Sequence, residues 1–188
     1  KYNEGVGEAK FYGPAIDLKA EDSLGRLWQG TTIQFDFNLP AKFEMSYIGE
    51  DGQKHVPFMV HRTLLGSMER FVGVLIEQYG GAFPVWLAPT QIIIIPISEK
   101  NNDYAQKVRQ QLFEQNLRVK VDDGNESMQK RIREAEKQKV PYMLVLGEKE
   151  EQSDQVAVRQ RGRKDLGIMK LEDFEKLIKE DIEQKKIW

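Results

Sequence analysis

At 188 residues the chain can hold one large domain or two small ones with a buried core, and at 40% hydrophobic and 31% charged residues it has a globular composition. A formal net charge of −2 excludes a global attraction to nucleic acid, so any RNA contact has to come from a local cluster. Zero cysteines exclude every cysteine-based zinc site, and no run approaches the ~18 apolar residues that a membrane span needs.

In chain order, "FYGPAIDLKAED" alternates apolar and polar residues as a half-buried strand does. "DSLGR" then supplies a turn, and "LWQGTTIQFDFNLP" alternates again. In that second run Ile33, Phe35 and Phe37 fall on one face, and Gln34, Asp36 and Asn38 on the other. The polar set suits a wet sheet face and a binding site equally well. "FEMSYIGEDGQKHVPFMVH" reads as a hairpin turned at Asp51-Gly52. The period then changes. Over residues 62–79 a stripe of Leu64, Leu65, Met68, Phe71, Val72 and Leu75 predicts a core-facing helix that stops at Gly80-Gly81. Within it, "HRTLLGSMERF" sets a histidine, two arginines and a glutamate beside the stripe, more polar groups than packing asks for.

"AFPVWLAPT" marks a boundary, because two prolines among bulky apolar residues make a stiff, partly docked connector. Beyond it, strands and helices alternate. "QIIIIPIS" is a continuous apolar run suited to a buried central strand. A helix over about 102–116, strand "RVKVDD", a helix over about 126–138, strands "PYMLVLG" and "QVAVRQRG", and a helix from about 171 follow. "EKEEQSD" reads as a solvated turn and "QKRIREAEKQK" as a charged helix face. The expected fold class is therefore α/β: an α+β antiparallel-sheet segment over residues 1–84, then a small mixed-sheet α/β domain over residues 85–188. No signal-peptide pattern opens the chain, and it begins at Lys1 in mid-pattern, as a segment of a longer protein would. The lack of cysteine fits a reducing, cytoplasmic setting.

Taken together, "FYGPAIDLK", "TTIQFDFNLP", "YIGEDGQKHVPFMVHRTLLGSMERF", "GAFPVWLAP", "DDGNESMQKRIREAEKQKVPYMLVLGEKE" and "VAVRQRG" resemble the C-terminal portion of threonyl-tRNA synthetases, in family order and spacing. The resemblance implies the end of a class II catalytic domain, carrying its third signature motif in "GSMERF", followed by an anticodon-binding domain. It implies that Arg70 contacts ATP, where a planar, permanently charged guanidinium serves both phosphate and adenine. Gln29 and Gln34 would position substrate and nucleotide as neutral amides that both donate and accept, and Ser67 would face the amino-acid pocket. His61 would be one of three protein ligands to a zinc that recognises threonine. The other two lie upstream in the family, so the site is incomplete in this chain and the chain alone is expected to hold no zinc tightly. In the second half, Asn125, Arg133, Glu150 and Arg159 match the positions that contact anticodon bases.

The implied function is that of a threonine–tRNA ligase, a homodimer in its intact form, using ATP with magnesium to activate threonine and charge its tRNA. The chain by itself is expected to be inactive, and its own oligomeric state is left open. Two further readings stand beside it: a non-catalytic tRNA-binding or regulatory paralog, and a domain kept for protein assembly. Three departures bear on that choice. Ala15 stands where the family usually has lysine, and Gly124 and Ser127 replace two basic residues around Asn125.

Overall fold

The computed structural model describes residues 2–162 and 164–187. The chain divides into two compact units, Lys1–Gln78 and Tyr79–Trp188. In the first, strands β1 (Ala15–Glu21), β2 (Leu27–Asp36) and β5 (Met59–Thr63) form an antiparallel sheet in the order β1-β2-β5. A short helix α1 (Leu39–Lys42) follows β2, and a small hairpin pairs β3 (Tyr47–Ile48) with β4 (Lys54–His55). Helix α2 (Met68–Tyr79) closes the unit.

Two features depart from the sequence reading. The helix expected over 62–79 begins only at Met68, because Arg62 and Thr63 pair with Ile33 and Thr32 as strand. The break between strand and helix falls at Gly66, whose φ of 68° and close approach to the Gly30 carbonyl both disfavour a side chain. The apolar stripe expected to be core is also not buried. Leu64 and Met68 are 61% and 57% exposed, and α2 has no buried residue. A sheet needs a layer packed on each apolar face, and three strands with one helix leave those faces open here.

What fixes the first unit locally is polar. Asp22, buried in the β1–β2 turn, accepts the Leu24 and Arg26 amides at 2.9 Å each, the Trp28 indole N–H at 2.7 Å and the Arg26 Nε at 2.6 Å. Arg26 also reaches Glu77 on α2 at 2.9 Å. Burial pushes the Asp22 pKa up, but the hydrogen bonds from Trp28, Arg26 and Leu24 outweigh it and hold the carboxyl well below its usual range. A depressed carboxylate stabilises the fold above its unfolded pKa, about 3.9, and loses that contribution as pH falls toward the folded value. Asp22→Asn should therefore lower stability at pH 7 and flatten its dependence on pH below about 4, read from urea midpoints. Parallel acid loss in both chains would exonerate Asp22.

The second unit is a five-stranded sheet, in the order β10 (Lys164–Lys170), β9 (Gln155–Gln160), β8 (Tyr142–Leu146), β6 (Ile92–Pro96), β7 (Val119–Val121). β6 runs parallel to both β7 and β8, whereas β9 and β10 are antiparallel additions. Helices α3 (Asn102–Glu114) and α6 (Leu171–Glu183) cover one face, where Tyr104, Val108, Leu112, Phe174 and Ile178 pack on Ile92, Ile94 and Leu144. Helix α4 (Met128–Lys137) covers the other, with Ala135 and Ile132 against Ile93, Ile95 and Met143. This explains why "IIIIP" is apolar at every position: the strand is buried on both faces. The connector is docked as expected. Val85 is buried, and Arg118 donates to the carbonyls of Ala88 and Trp86 at 2.8 and 2.9 Å.

Two elements were not anticipated. Strand β10 extends the sheet at its edge, and "EKEEQSD" is the helix α5 (Glu148–Ser153) rather than a turn. Glu150 reaches back to accept the Gly147 amide at 3.0 Å, and Asp154 closes the helix in the left-handed region at φ 51°. Those two local features accompany the folding of an acidic run into a six-residue helix.

Candidate functional site

In the first unit, strand register decides which predicted residues meet. Gln34 lies directly opposite His61 across β2 and β5, and opposite Ala15 across β1. Ala15, Gln34 and His61 thus form one row across the sheet, and Asp36 shares their face two residues along β2. Gln34, Asp36 and His61 line a cavity of about 320 Å³ with Phe11, Tyr12, Asn38, Leu39 and Lys42. Ala15 brings no charge to this row.

Asp36 is the residue the sequence reading undervalued. It is 2% exposed, not part of a wet face. Its Oδ1 accepts the amides of Asn38 and Leu39 at 2.8 and 2.9 Å, and its Oδ2 lies 3.0 Å from His61 Nε2. The Leu39 amide, opposed by burial and joined by Asn38 and His61, holds the Asp36 pKa below its ordinary value. An ionised carboxylate can only accept, so Nε2 donates, and in the neutral imidazole Nδ1 keeps the lone pair that a metal needs. The signal for Asp36 was its place two residues after Gln34 and just before "NLP". It was indistinguishable from surface polarity without the register.

Gln29 joins the same face through a bulge. Between the pairs Asp17–Thr32 and Lys19–Gln29, β2 advances three residues while β1 advances two. Strict alternation would set Gln29 opposite to Gln34; the extra residue turns it back. Its amide donates to Asp17 Oδ1 at 2.8 Å and Thr32 Oγ1 at 3.0 Å. The loop before α2 passes against this end of β2, since a Cβ on Gly66 would sit 3.3 Å from the Gln29 carbonyl and 3.1 Å from that of Gly30. That brings Ser67 toward Gln29, about five residues along β2 from the Gln34–His61 row. Ser67 donates to Glu69 at 2.7 Å and accepts the Arg70 amide at 3.4 Å. Arg70 is exposed in the first turn of α2 and makes no ion pair with a described residue.

His61 fits one position of a metal site, with one imidazole nitrogen not engaged by Asp36 and its ring at the cavity. No cluster of three His, Cys, Asp or Glu able to hold a metal occurs among the described residues. Any metal at His61 needs ligands from elsewhere.

In the second unit the four predicted RNA contacts are dispersed around α4 and the sheet. Asn125 is exposed in the loop between β7 and α4. Ser127 caps α4 by accepting the Lys130 amide at 3.4 Å. Arg133 is exposed on α4. Val156 and Val158 of β9 face the α3/α6 core, so Arg159 faces the α4 side, in one row with Met143. Arg159 and α4 therefore lie on the same face of the sheet. Glu150 is only 9% exposed, and one carboxylate oxygen is committed to the Gly147 amide. In this unit it serves as a helix cap.

Comparison with known proteins adds the following. Residues 4–79 match the tRNA synthetase class II core domain (G, H, P, S and T), and residues 91–181 match an anticodon binding domain. Similar curated proteins include a threonine–tRNA ligase of Sulfurihydrogenibium, 54% identical over 96% of this chain and 28% of its own length. One of Acidobacterium capsulatum is 57% identical over 92% and 25%, and one of Clostridium botulinum 52% over 98% and 29%. The chain thus spans under a third of these relatives. Among solved structures, the RNA binding domain of threonyl-tRNA synthetase from Cryptosporidium parvum is similar at a TM-score of 0.83 and 36% identity, over 93% of this chain and 44% of that one.

Proposed function

The chain belongs to the threonyl-tRNA synthetase family, whose class II core and anticodon-binding domain it matches in that order, and on that premise we propose that it is part of a threonine–tRNA ligase. In the intact enzyme a threonine carboxylate oxygen attacks the α-phosphorus of ATP and pyrophosphate leaves. A terminal hydroxyl of the tRNA then attacks the adenylate carbonyl, and AMP leaves. We divide the labour at the connector: residues 1–84 serve catalysis and residues 85–188 serve tRNA.

Gln34 and His61 would face the amino acid, with Asp36 fixing the imidazole through Nε2. Zinc, when bound, supplies a Lewis acid that recognises the threonine amino and hydroxyl groups, with His61 as one ligand and the rest outside this chain. ATP enters with magnesium, and Arg70 would meet its charge while Gln29 and Ser67 hold substrate at the other end of β2. The setting is cytoplasmic and the intact enzyme a homodimer, as the family reading implies. No helix among the described residues is long and apolar enough to cross a membrane.

The observation that carries the RNA half is the common face of Arg159 and α4, with Arg133 exposed on that helix. A net charge of −2 gives no general pull on RNA, so these local cations have to work. Arg133→Ala and Arg159→Ala should each weaken binding of a threonine anticodon stem-loop by about 1–3 kcal/mol, the scale of a bidentate base contact. Because Gly124 and Ser127 replace basic residues, the parent affinity should be lower than in relatives that keep them. Calorimetric titration against a scrambled loop tests this. Equal binding of both loops, or indifference to both substitutions, removes the anticodon assignment.

A further inference from the structure

A groove of about 370 Å³ opens beside β7, the strand at one edge of the second unit's sheet. Three cations line it: Arg109 from α3, Arg118 from the loop before β7 and Lys120 from β7 itself. The exposed ring of Phe113 stands among them. No carboxylate lines the groove, although acidic residues outnumber basic ones in the chain, 30 to 28. Nor are these charges neutralised elsewhere. The Arg109 guanidinium lies 5.7 Å from the Phe113 ring centroid, and neither it nor Lys120 pairs with a carboxylate among the described residues. The Arg118 guanidinium donates only to backbone carbonyls.

Between the cations runs an open strand edge. The Arg118 carbonyl accepts the Gln91 amide at 2.8 Å, and the Asp122 amide donates to the Ile94 carbonyl at 2.8 Å. Backbone groups alternate along a strand, so Arg118, Lys120 and Asp122 face β6, while Val119 and Val121 turn amide and carbonyl outward. Those outward groups have no backbone partner among the described residues. Side chains alternate as well. Val119 packs into the α3/α6 core, so Lys120 stands on the other face, beside Ile93 on the α4 side. The groove thus offers cations on both sides of the edge: Arg109 with Phe113 on one, Lys120 on the other.

We propose that β7 takes an acidic, extended peptide segment of a partner protein as an added strand. Its carboxylates reach Arg109 and Lys120 on alternate sides, and an apolar side chain lies on Phe113. A second copy of this chain does not suit the edge, because pairing β7 with itself would bring two sets of these cations together. A phosphate backbone does not suit it either. Phosphates only accept, whereas the outward carbonyls of Val119 and Val121 need donors. The surface is also separate from the RNA reading. It lies at the amino end of β7, whereas Asn125 and Glu150 follow the carboxyl ends of β7 and β8. With only three residues in β7, the added strand is short and its affinity modest.

The test is fluorescence anisotropy of a labelled, capped Glu-Val-Glu-Phe-Glu peptide with the full 188-residue chain. Two further versions carry N-methyl groups at alternate residues. Only one edge of an added strand meets β7, so one version should bind about tenfold more weakly and the other unchanged. Arg109→Ala combined with Lys120→Gln should weaken the parent peptide about fivefold, the scale of two exposed ion pairs. Phe113→Ala should weaken it about threefold through lost apolar cover. Arg133→Ala and Arg159→Ala should leave it unchanged, which keeps this result apart from the RNA reading. No binding, equal affinity of the two N-methylated versions, or indifference to the Arg109 and Lys120 changes overturns the proposal. So does a uridine hexanucleotide that displaces the peptide, which would give the groove to RNA.

Discussion

Arg70→Ala, made in a protein that carries the complete catalytic core, should slow threonine-dependent pyrophosphate exchange by about 100-fold, the usual scale for losing one preorganised charge-stabilising group. The structure makes Arg70 suited to that role in three ways. It stands in the first turn of α2, where the preceding Gly66-Ser67 loop is fixed against β2. It is exposed and makes no ion pair with a described residue, so its charge is not spent within the chain. Its neighbour Glu69 is drawn to Ser67 at 2.7 Å, and that hydrogen bond lowers the Glu69 pKa. Arg70→Lys should recover little, because an ammonium keeps the charge but loses the planar fork. Arg62→Ala is the matching control. Arg62 pairs with Ile33, on the sheet face opposite the Gln34–His61 row, and its loss should be small. Unchanged exchange in Arg70→Ala would remove it from the nucleotide site and leave a surface arginine on an amphipathic helix.

Phe174→Ala should destabilise the second unit by about 3–5 kcal/mol, the range for emptying a buried aromatic site. Phe174 is fully buried and meets Tyr142 edge-to-face, with ring centroids 5.4 Å apart at 82°. It docks α6 onto the sheet together with Ile178, four residues along, and Asp181, three further. Asp181 accepts the Tyr142 hydroxyl at 2.5 Å and pairs with Lys186 at 2.9 Å. Burial and the Asp181 carboxylate both push the Tyr142 hydroxyl pKa up, so this hydrogen bond stays intact through neutral pH. A cavity at Phe174 would loosen both halves of that attachment. Since whole domains are stable by only about 5–15 kcal/mol, the loss should be plain in a urea melt of the second unit. Phe113→Ala is the comparison, because Phe113 is 57% exposed. Similar losses for both would mean that α6 contributes little to the core.

Much of the second unit was legible in the sequence because its signals are local and redundant. Four consecutive isoleucines suit a strand buried on both faces, and α3, α4 and α6 announce themselves by period. Helix α5 escaped because its stability comes from Glu150 turning back to Gly147 and Asp154 taking φ 51°, contacts that composition does not reveal. Strand β10 escaped because an exposed edge strand has no alternation to display. In the first unit the strands were legible, but α2 was placed six residues early, since a helical stripe and a strand that ends in "HRT" look alike until β5 finds β2.

By itself the sequence determined most of the elements, the connector, the family resemblance and the residue types available for chemistry, because each of these is written in neighbouring positions. Only the tertiary structure decided which of those residues meet. The opposition of Gln34 and His61 depends on a pairing between strands 27 positions apart, and the return of Gln29 to their face depends on one extra residue in β2. The burial of Asp36 depends on two amides and an imidazole that converge from different segments. Periodicity fixes which side of its own element a residue occupies. Register, bulges and crossovers fix what stands on the other side.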